Sequence, residues 1–285
     1  MEPKLQRRVQ RYGWDLAAPS YEPLWQAQLA GLQAELLACA ALAPGQQVLD
    51  VACGTGLVAF AAADRVGPAG RVSGIDLSGQ MVDAAQRRAR SLGLANVDFA
   101  RMDAENLALP DASFDVVLCA LGLMYLPDPE RAVQEMRRVM RPEGRVVIAV
   151  WGERSRCGWS SVFGIVDAEV SSDVCPLFFR LGQIGALARL CAGANLKVIA
   201  EQRIVAALAY ADGDDACNAA LVGGPVALAW SRFDAEVRAR VRARYLESIK
   251  PWRIGQAYGL PAEFVVVGAA SGRGDLPGHW PDARR

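Results

Sequence analysis

Leucines at 24, 29, 32, 36 and 37 recur at helical spacing, so residues 22–42 read as an amphipathic helix. Pro44-Gly45 ends it. The pattern then changes to short, nearly continuous apolar runs. QQVLDVA (46–52) reads as a buried strand, followed by a glycine-rich turn and a helix near 56–65. RVSGID (71–76) is a second strand. SGQMVDAAQRRARSLG (78–93) is a helix with Ser78 as its N-cap and Gly93 at its end. NVDFARM (96–102) and SFDVVLCAL (113–121) are a third and a fourth strand. PDPERAVQEMRRVMRPEG (127–144) is a helix stopped by Pro142-Gly144, and RVVIAVW (145–151) a fifth strand.

Helices and strands alternating in this way argue for a parallel sheet covered on both faces. Strands that are apolar on both sides agree with that. After Trp151 the rhythm is lost: 153–180 mixes Gly, Ser, Cys and aromatics without a period. A helix near 183–192, a long strand at 196–209, helix and loop over 212–258 and a strand at 263–270 follow. The organisation predicted is an N-terminal helical lid (1–44), a core (45–152), a cap insertion (153–180), a core continuation (181–210), a helical cap (211–258), a last core strand (259–270) and a mobile polar tail (271–285).

Composition narrows the function classes. Lys and Arg total 31 and Asp and Glu 31, so no overall basic footprint for nucleic acid or anionic lipid exists. No run of about 18 apolar residues is present, and no membrane association is expected. The first residues, MEPKLQRRVQRYGW, lack a signal-peptide core, so the expected setting is cytoplasmic. The seven cysteines stand singly with no CxxC pair, which argues against a zinc site and against disulfides. They read as small buried hydrophobes.

The chemistry begins at VLDVACGTGLVAF (48–60). Gly54, Gly56 and Ala59 fit G-x-G-x-x-A, a form of the dinucleotide fingerprint. Glycines after a first strand let a ligand approach the backbone, and the helix start behind them offers free N–H groups. The acids decide between ligands. Asp76 ends the second strand, 22 residues after Gly54, where a carboxylate accepts from ribose hydroxyls in either a nicotinamide cofactor or S-adenosylmethionine. Asp103 follows the third strand and can accept from an adenine amino group. Asp50 precedes the glycines, where it would repel a pyrophosphate but attract an amino group. Three acids around one pocket suit a cationic ligand better than a dianionic one.

VLDVACGTG, GIDLSGQM and RMDAENLALPDASFDVVLCALGLMYLPDPERAVQEMRRVMRPEGRVVI resemble the class I S-adenosylmethionine-dependent methyltransferases. The likeness, over roughly residues 10–152, is greatest to the ubiquinone/menaquinone C-methyltransferase-like (methyltransferase type 11) branch. It implies an α/β fold: a doubly wound, Rossmann-like, seven-stranded sheet whose last strand is antiparallel, here with an inserted helical cap. It implies that Asp50, Ala52, Gly54 and Gly56 line the methionine end and that Asp76 binds ribose. Leu77 and Met81 would then pack near adenine, which Met102, Asp103 and Ala104 would hold. Ala120 and Gly122 would lie beneath the sulfonium. GWDLAAPSYEPLW (13–25) resembles the segment that closes over the cofactor, with Tyr12, Trp14 and Tyr21 as contacts. Cys53 departs from the small or acidic residue usual at its position.

The implied reaction is in-line methyl transfer to a small, largely apolar or aromatic acceptor, with carbon or oxygen favoured. The expected partner is that acceptor alone, on a monomer or homodimer. Aromatics in GWSSVF, CPLFF, WSRF and KPWR predict an apolar pocket in the cap. Tyr125 and Trp151 are its nearest wall candidates, and Asp167, Glu169 and Asp173 are candidate bases. His279, the single histidine, falls in the tail and reads as solvated, so a histidine base is not expected. Arg238, Arg240, Arg242 and Arg244 read as a solvated helix face, with an anionic substrate as the other reading. RGD at 273–275 reads as loop. The alternatives are an NAD(P)-dependent oxidoreductase, a non-catalytic S-adenosylmethionine-binding partner subunit and, through Cys175 and Cys191, an arsenic or thiol methyltransferase.

Overall fold

The computed structural model describes residues 2–170 and 178–272. Asp173, Cys175, His279, the RGD triplet and nearly all of the 271–285 tail lie outside the described residues.

Helix α1 spans Pro3–Ala40. The helix predicted over 22–42 therefore extends to Pro3, through Pro19 and Pro23. Each proline removes a backbone donor and argues locally for a break. Tertiary contacts override that preference. Asp15 Oδ1 accepts from Ser78 Oγ at 2.6 Å and from the Gln80 backbone N–H at 3.2 Å, and Glu22 pairs with Arg88 at 2.7 Å. At the other end Arg145, itself buried, donates from Nε to Ala40 O and from Nη2 to Ala41 O at 2.7 Å. A cation thus satisfies carbonyls that the helix end leaves open.

Strand β1 (Gln47–Val51), helix α2 (Leu57–Val66), β2 (Arg71–Asp76), α3 (Gly79–Ser91), β3 (Val97–Arg101), β4 (Phe114–Ala120), α4 (Pro129–Val139) and β5 (Met140–Trp151) form the first half. Then come α5 (Ser161–Val170), α6 (Ala186–Gly193), β6 (Lys197–Tyr210), α7 (Gly213–Leu221), α8 (Ala227–Arg232), α9 (Ala235–Ile249), β7 (Arg253–Ile254) and β8 (Ala257–Ala270).

The sheet order is β3-β2-β1-β4-β5-β8-β6, with β7 pairing β8. The pairs among β1 to β5 are parallel, and β8 runs antiparallel to both β5 and β6. Among the described residues the seven expected strands are present, and the two-residue β7 makes an eighth. Central strands are apolar on both faces: Val116, Val117 and Leu118 of β4 and Val146 to Val150 of β5 are buried.

Two boundaries differ from expectation. The helix predicted to 144 stops at Val139, because Met140 already pairs with Phe114. Pro142 and Gly144 fall in a register irregularity before Arg145 joins Val116. The last strand begins at Ala257 rather than 263. A hairpin with β7, turning at Gly255 (φ 65°), carries it outward to pair with the full length of β6. From β1 the chain moves outward to β2 and β3, then returns to β4 on β1's other side. That reversal opens a crevice beyond the carboxyl ends of β1 and β4, the usual ligand position in open α/β sheets. No helix among the described residues is long and apolar enough to cross a membrane.

Candidate functional site

A cavity of about 800 Å³, counting its mouth, occupies that crevice. Ala52 and Gly54 come from β1's end, Ile75 to Ser78 from β2's, Met102 to Glu105 from β3's and Ala120 to Gly122 from β4's. Met81 and residues Tyr125 to Pro127 add to these, and the first half of α1 closes the wall with Arg7, Gln10, Arg11, Trp14 and Tyr21.

The glycine turn has the conformation its residues imply. Gly54 (φ 55°) and Gly56 (φ 90°) take left-handed conformations, and so does Ala52 (φ 57°), at a cost a β-carbon imposes. Gly54's N–H donates to Asp76 Oδ2 at 2.9 Å, and the Ser78 N–H donates to Asp76 Oδ1 at 2.8 Å. Asp76 thereby pins the turn to the start of α3, whose N-cap Ser78 accepts from Met81 N. A carboxylate has about four lone-pair sites, so Asp76 keeps acceptor capacity toward the cavity. Burial pushes its carboxyl up, and these two N–H donors restrain the shift.

Asp50 behaves differently. It sits between Gly74 of β2 and Leu118 of β4 and is 1% exposed. Neither carboxylate oxygen has a hydrogen-bond partner. Burial first, and Asp76 second, push its pKa up to about 8; the Ala59 amide draws it down slightly without a full hydrogen bond. An unpartnered buried carboxylate is costly and rare. Above it the Tyr21 ring overhangs Gly54, and burial with Asp76 and Asp50 raises the Tyr21 phenol well above its usual range.

At the cavity's other end Arg7 pairs with Asp103 at 3.2 Å and with Glu105. Asp103 Oδ1 accepts from the Glu105 N–H at 3.0 Å, and Glu105 Oε1 accepts from the Asp128 N–H at 3.0 Å. Gln6 donates to Tyr125 O at 3.3 Å. α1 is thus tied across the mouth at both ends.

Trp14, Tyr21, Ala52, Gly54, Asp76, Leu77, Met81, Met102, Asp103, Ala104, Ala120, Gly122 and Tyr125 all lie on this wall. Others do not. Tyr12 is 45% exposed, and its ring lies under the Arg11 guanidinium, because a helix turns position 12 away from the face that carries 11 and 14. Asp50 is behind the turn. Gly56 faces the core, where a β-carbon would come within 2.9 Å of the Phe60 and Phe99 rings. Asp167 and Glu169 of α5 are not on the wall either. Glu169 is bound by Arg240 at 2.8 and 3.0 Å and approached by Arg244 at 3.7 Å, and the Arg240 hydrogen bonds hold its carboxyl below the usual range. It is a structural partner of α9 rather than a free base. Arg242 pairs with Asp214, and Arg238 packs over the Trp230 ring, so the arginine row faces carboxylates and an indole. Cys191 is buried, with its thiol pushed up to about 12 by burial, which removes its nucleophilic character.

Arg7, Gln10 and Arg11 went unpredicted, although 7, 10, 11 and 14 keep helical spacing. Polar residues on that face gave no apolar stripe to mark it. Ser78, Glu105 and Leu121 also line the wall, each beside a predicted residue.

A second, smaller chamber of about 320 Å³, counting its mouth, adjoins the first and shares Trp14, Tyr21, Leu121 and Tyr125 with it. Trp25, Leu29, Trp151, Trp159, Gly224 and Pro225 complete it. Trp151 therefore lies here and not on the larger wall. Trp25, Trp151 and Trp159 meet edge to face, with centroids 4.8–6.2 Å apart. Phe178 joins them through Trp159 and Tyr125. Trp230 and Phe233 pair with each other elsewhere. Gly122, on the larger wall next to the shared Leu121, is closely packed: a β-carbon on it would lie 2.3 Å from the Ala52 β-carbon.

The sheet order, the turn at the switch point and the acid-flanked cavity are those of a doubly wound, Rossmann-like domain with a ligand site at its switch point. A family model described as a methyltransferase domain matches residues 48–144. Among curated proteins, the demethylmenaquinone methyltransferase of Lactobacillus johnsonii is 36% identical over 124 residues, 42% of this chain and 51% of that protein. The match spans about half the length of that relative. Among solved structures, the [4+2]-cyclase SpnF has a TM-score of 0.59 at 21% identity, covering 87% of this chain and 82% of that one. Geranyl diphosphate C-methyltransferase from Streptomyces coelicolor A3(2) has 0.51 at 18% identity, covering 85% and 78%. These structural likenesses show the fold.

Proposed function

We propose that the protein transfers the methyl group of S-adenosylmethionine to a small, largely apolar or aromatic acceptor. The observation that carries this reading is the unpartnered, buried Asp50 carboxylate behind Gly54, opposite a cavity that ends in Asp76 and Asp103. The residues fit the cofactor. Asp50 lies behind Gly54 and acts as a nearby charge through the turn: it favours a cationic amino group at the cavity's glycine end and disfavours the pyrophosphate of a nicotinamide cofactor. Gly54 lets a ligand lie against the backbone. Asp76 keeps acceptor capacity for ribose hydroxyls, and Leu77, Met81, Met102 and Ala104 offer an apolar slot for adenine beside Asp103.

When bound, S-adenosylmethionine supplies an electrophilic methyl group on a positively charged sulfur. The chain's own work is positioning and exclusion of water. Ala120, Leu121 and Gly122 form the floor between the two spaces. α1 covers the cofactor side. Residues 153–170 and 211–258 serve as the cap, contributing Trp159, Gly224 and Pro225 to the aromatic chamber. Among the described residues the chamber's titratable groups are the phenols of Tyr21 and Tyr125, and Tyr21 stays protonated. The described lining thus holds no strong base, which favours an electron-rich carbon or an already ionised oxygen as acceptor atom. The relative's name gives a demethylmenaquinone as its substrate, and the ring of such a compound in its reduced, quinol form meets that requirement.

The test is turnover with methyl-labelled S-adenosylmethionine on a panel of phenols, quinols, amines and thiols. Label transferred to phenols or quinols supports the reading. Cofactor binding without turnover on any of them points instead to a non-catalytic role.

A further inference from the structure

β6 stands at one end of the sheet order, with β8 as its strand partner. Its other side is an open edge 14 residues long, Lys197–Tyr210. The Gln28 side chain shows which backbone groups that edge presents. Its Oε1 accepts from the Ala209 N–H at 2.8 Å, and its Nε2 donates to Ala209 O. Ala209 therefore makes no ladder bond with its register partner Gly259. Antiparallel pairs alternate, and the register is unbroken from Ala200 to Tyr210. Glu201, Arg203, Val205 and Ala207 thus also turn their N–H and C=O groups away from β8. Among the described residues nothing bonds to these groups.

Folded proteins usually blunt such an edge. Both ends of β6 are blunted: by Lys197 and the irregularity between Val198 and Ala200 at one, by Gln28 at the other. The stretch between them has neither lysine nor proline. Val205 in that stretch is 77% exposed. Arg203 donates to Gly182 O at 2.9 Å, and Ile184, two residues on, is 74% exposed. The neighbouring part of α1 puts no long exposed side chain in the way: each exposed residue from 27 to 38 is alanine or glycine.

We infer that this edge pairs with the same edge of a second copy of the chain, in an antiparallel two-fold contact that continues the sheet. The charges select the register. Glu201 and Arg203 are the charged residues of the 201–207 stretch and, two positions apart, share a face. A two-fold about Gln202 sets Glu201 of each copy opposite Arg203 of the other. A shift of one residue, about Arg203, would set the two arginines against each other. Opposite charges across a strand pair stabilise it, and like charges do not. Glu201 makes no ion pair among the described residues. Arg203 already holds Glu263 at 2.5 Å, and a guanidinium has donors for a second carboxylate. A partner strand of one charge sign would answer only half of this pair, whereas a second copy answers both. The contact is isologous, so it closes at two copies. It does not depend on the methyltransferase reading.

The test is sedimentation velocity of the full chain from about 1 to 100 µM, where a reversible monomer–dimer equilibrium is expected. Val205→Pro removes an N–H that points away from β8, so the ladder with β8 stays whole. It should weaken the dimer at least about tenfold. Glu201→Arg sets like charges opposite each other twice and should weaken it about tenfold. Deuterium uptake of the wild-type protein over residues 201–207 should slow between the lowest and the highest concentration. That last reading decides the matter if Val205→Pro does not fold. A monomer at every concentration overturns the inference. So does a dimer that both variants leave intact, a dimer without added protection at 201–207, or growth beyond two copies.

Discussion

Arg7, in the second turn of α1, is ion-paired to Asp103 beyond the end of β3 at 3.2 Å, and the same guanidinium reaches the buried Glu105. The contact joins the cover of the cavity to its adenosine end. The Arg7 and Asp103 side chains are each about a third exposed, so solvent screens the pair and its share of stability is about 0.2–1 kcal/mol. Glu105 keeps the Asp128 N–H when Arg7 is lost. Arg7→Ala should therefore lower the melting temperature by no more than about 4 °C while releasing S-adenosylhomocysteine faster. Stopped-flow dissociation compared with a thermal scan separates the two. Unchanged dissociation would show that α1 does not gate the site.

Asp50 makes the stability of the free protein depend on pH in an unusual direction. Burial and Asp76 push it up to about 8, against about 3.9 in an unfolded chain. Between those values the folded state holds a proton that the unfolded state has lost. Stability contributed by this group is full below about pH 4 and falls as pH rises toward 8. Urea unfolding of the ligand-free protein should show that loss, and Asp50→Asn should flatten it and be the more stable of the two at pH 8. An ammonium group nearby favours the carboxylate. Binding near pH 7 should thus release a proton, visible as a buffer-dependent heat that Asp50→Asn abolishes.

Asp76 holds two backbone donors and faces the cavity, so its loss is felt twice. Asp76→Ala leaves the Gly54 and Ser78 N–H groups without their acceptor, at about 1–3 kcal/mol for each that stays buried. Cofactor affinity should drop by about two orders of magnitude. Asp76→Asn retains one oxygen and should fall between. Calorimetry and urea unfolding on the three proteins give the order, and equal affinities would remove Asp76 from the site.

Most of the core could be read from the chain. Apolar runs gave each strand from 47 to 151 within a few residues, and Gly54, Asp76 and Asp103 arrive where the strand ends bring them. What escaped had a common cause: tertiary contacts outweighing local signals. Pro19 and Pro23 argue for a break that Asp15, Glu22 and their partners on α3 override. Met140 leaves a helix pattern because Phe114 offers a strand to join. Tyr12 and Trp14 looked alike until the helix placed them on different faces. Trp25 and Trp159 lie 134 positions apart in the chain, and periodicity carries no sign that their rings meet at one chamber.

Gly122 and Gly31 provide a matched pair of substitutions. At Gly122 a methyl group would stand 2.3 Å from the Ala52 β-carbon, and at Gly31 in α1 it meets nothing within 4 Å. Gly122→Ala should destabilise by about 1–3 kcal/mol and weaken cofactor binding by displacing the floor between the two spaces. Gly31→Ala, on an exposed helix face, should stabilise by about 0.5–1 kcal/mol with binding unaltered. Thermal scans and calorimetry check both, and a Gly122→Ala protein as stable as the wild type would show that the two strand ends can part freely.

The most direct measurement of the central claim is a calorimetric titration of the wild-type protein with S-adenosylhomocysteine, repeated with NADH and with Asp76→Ala. The account predicts one site for S-adenosylhomocysteine, no heat with NADH and binding weakened about a hundredfold in the variant. No binding at millimolar S-adenosylhomocysteine, or saturable binding of NADH in its place, would contradict it.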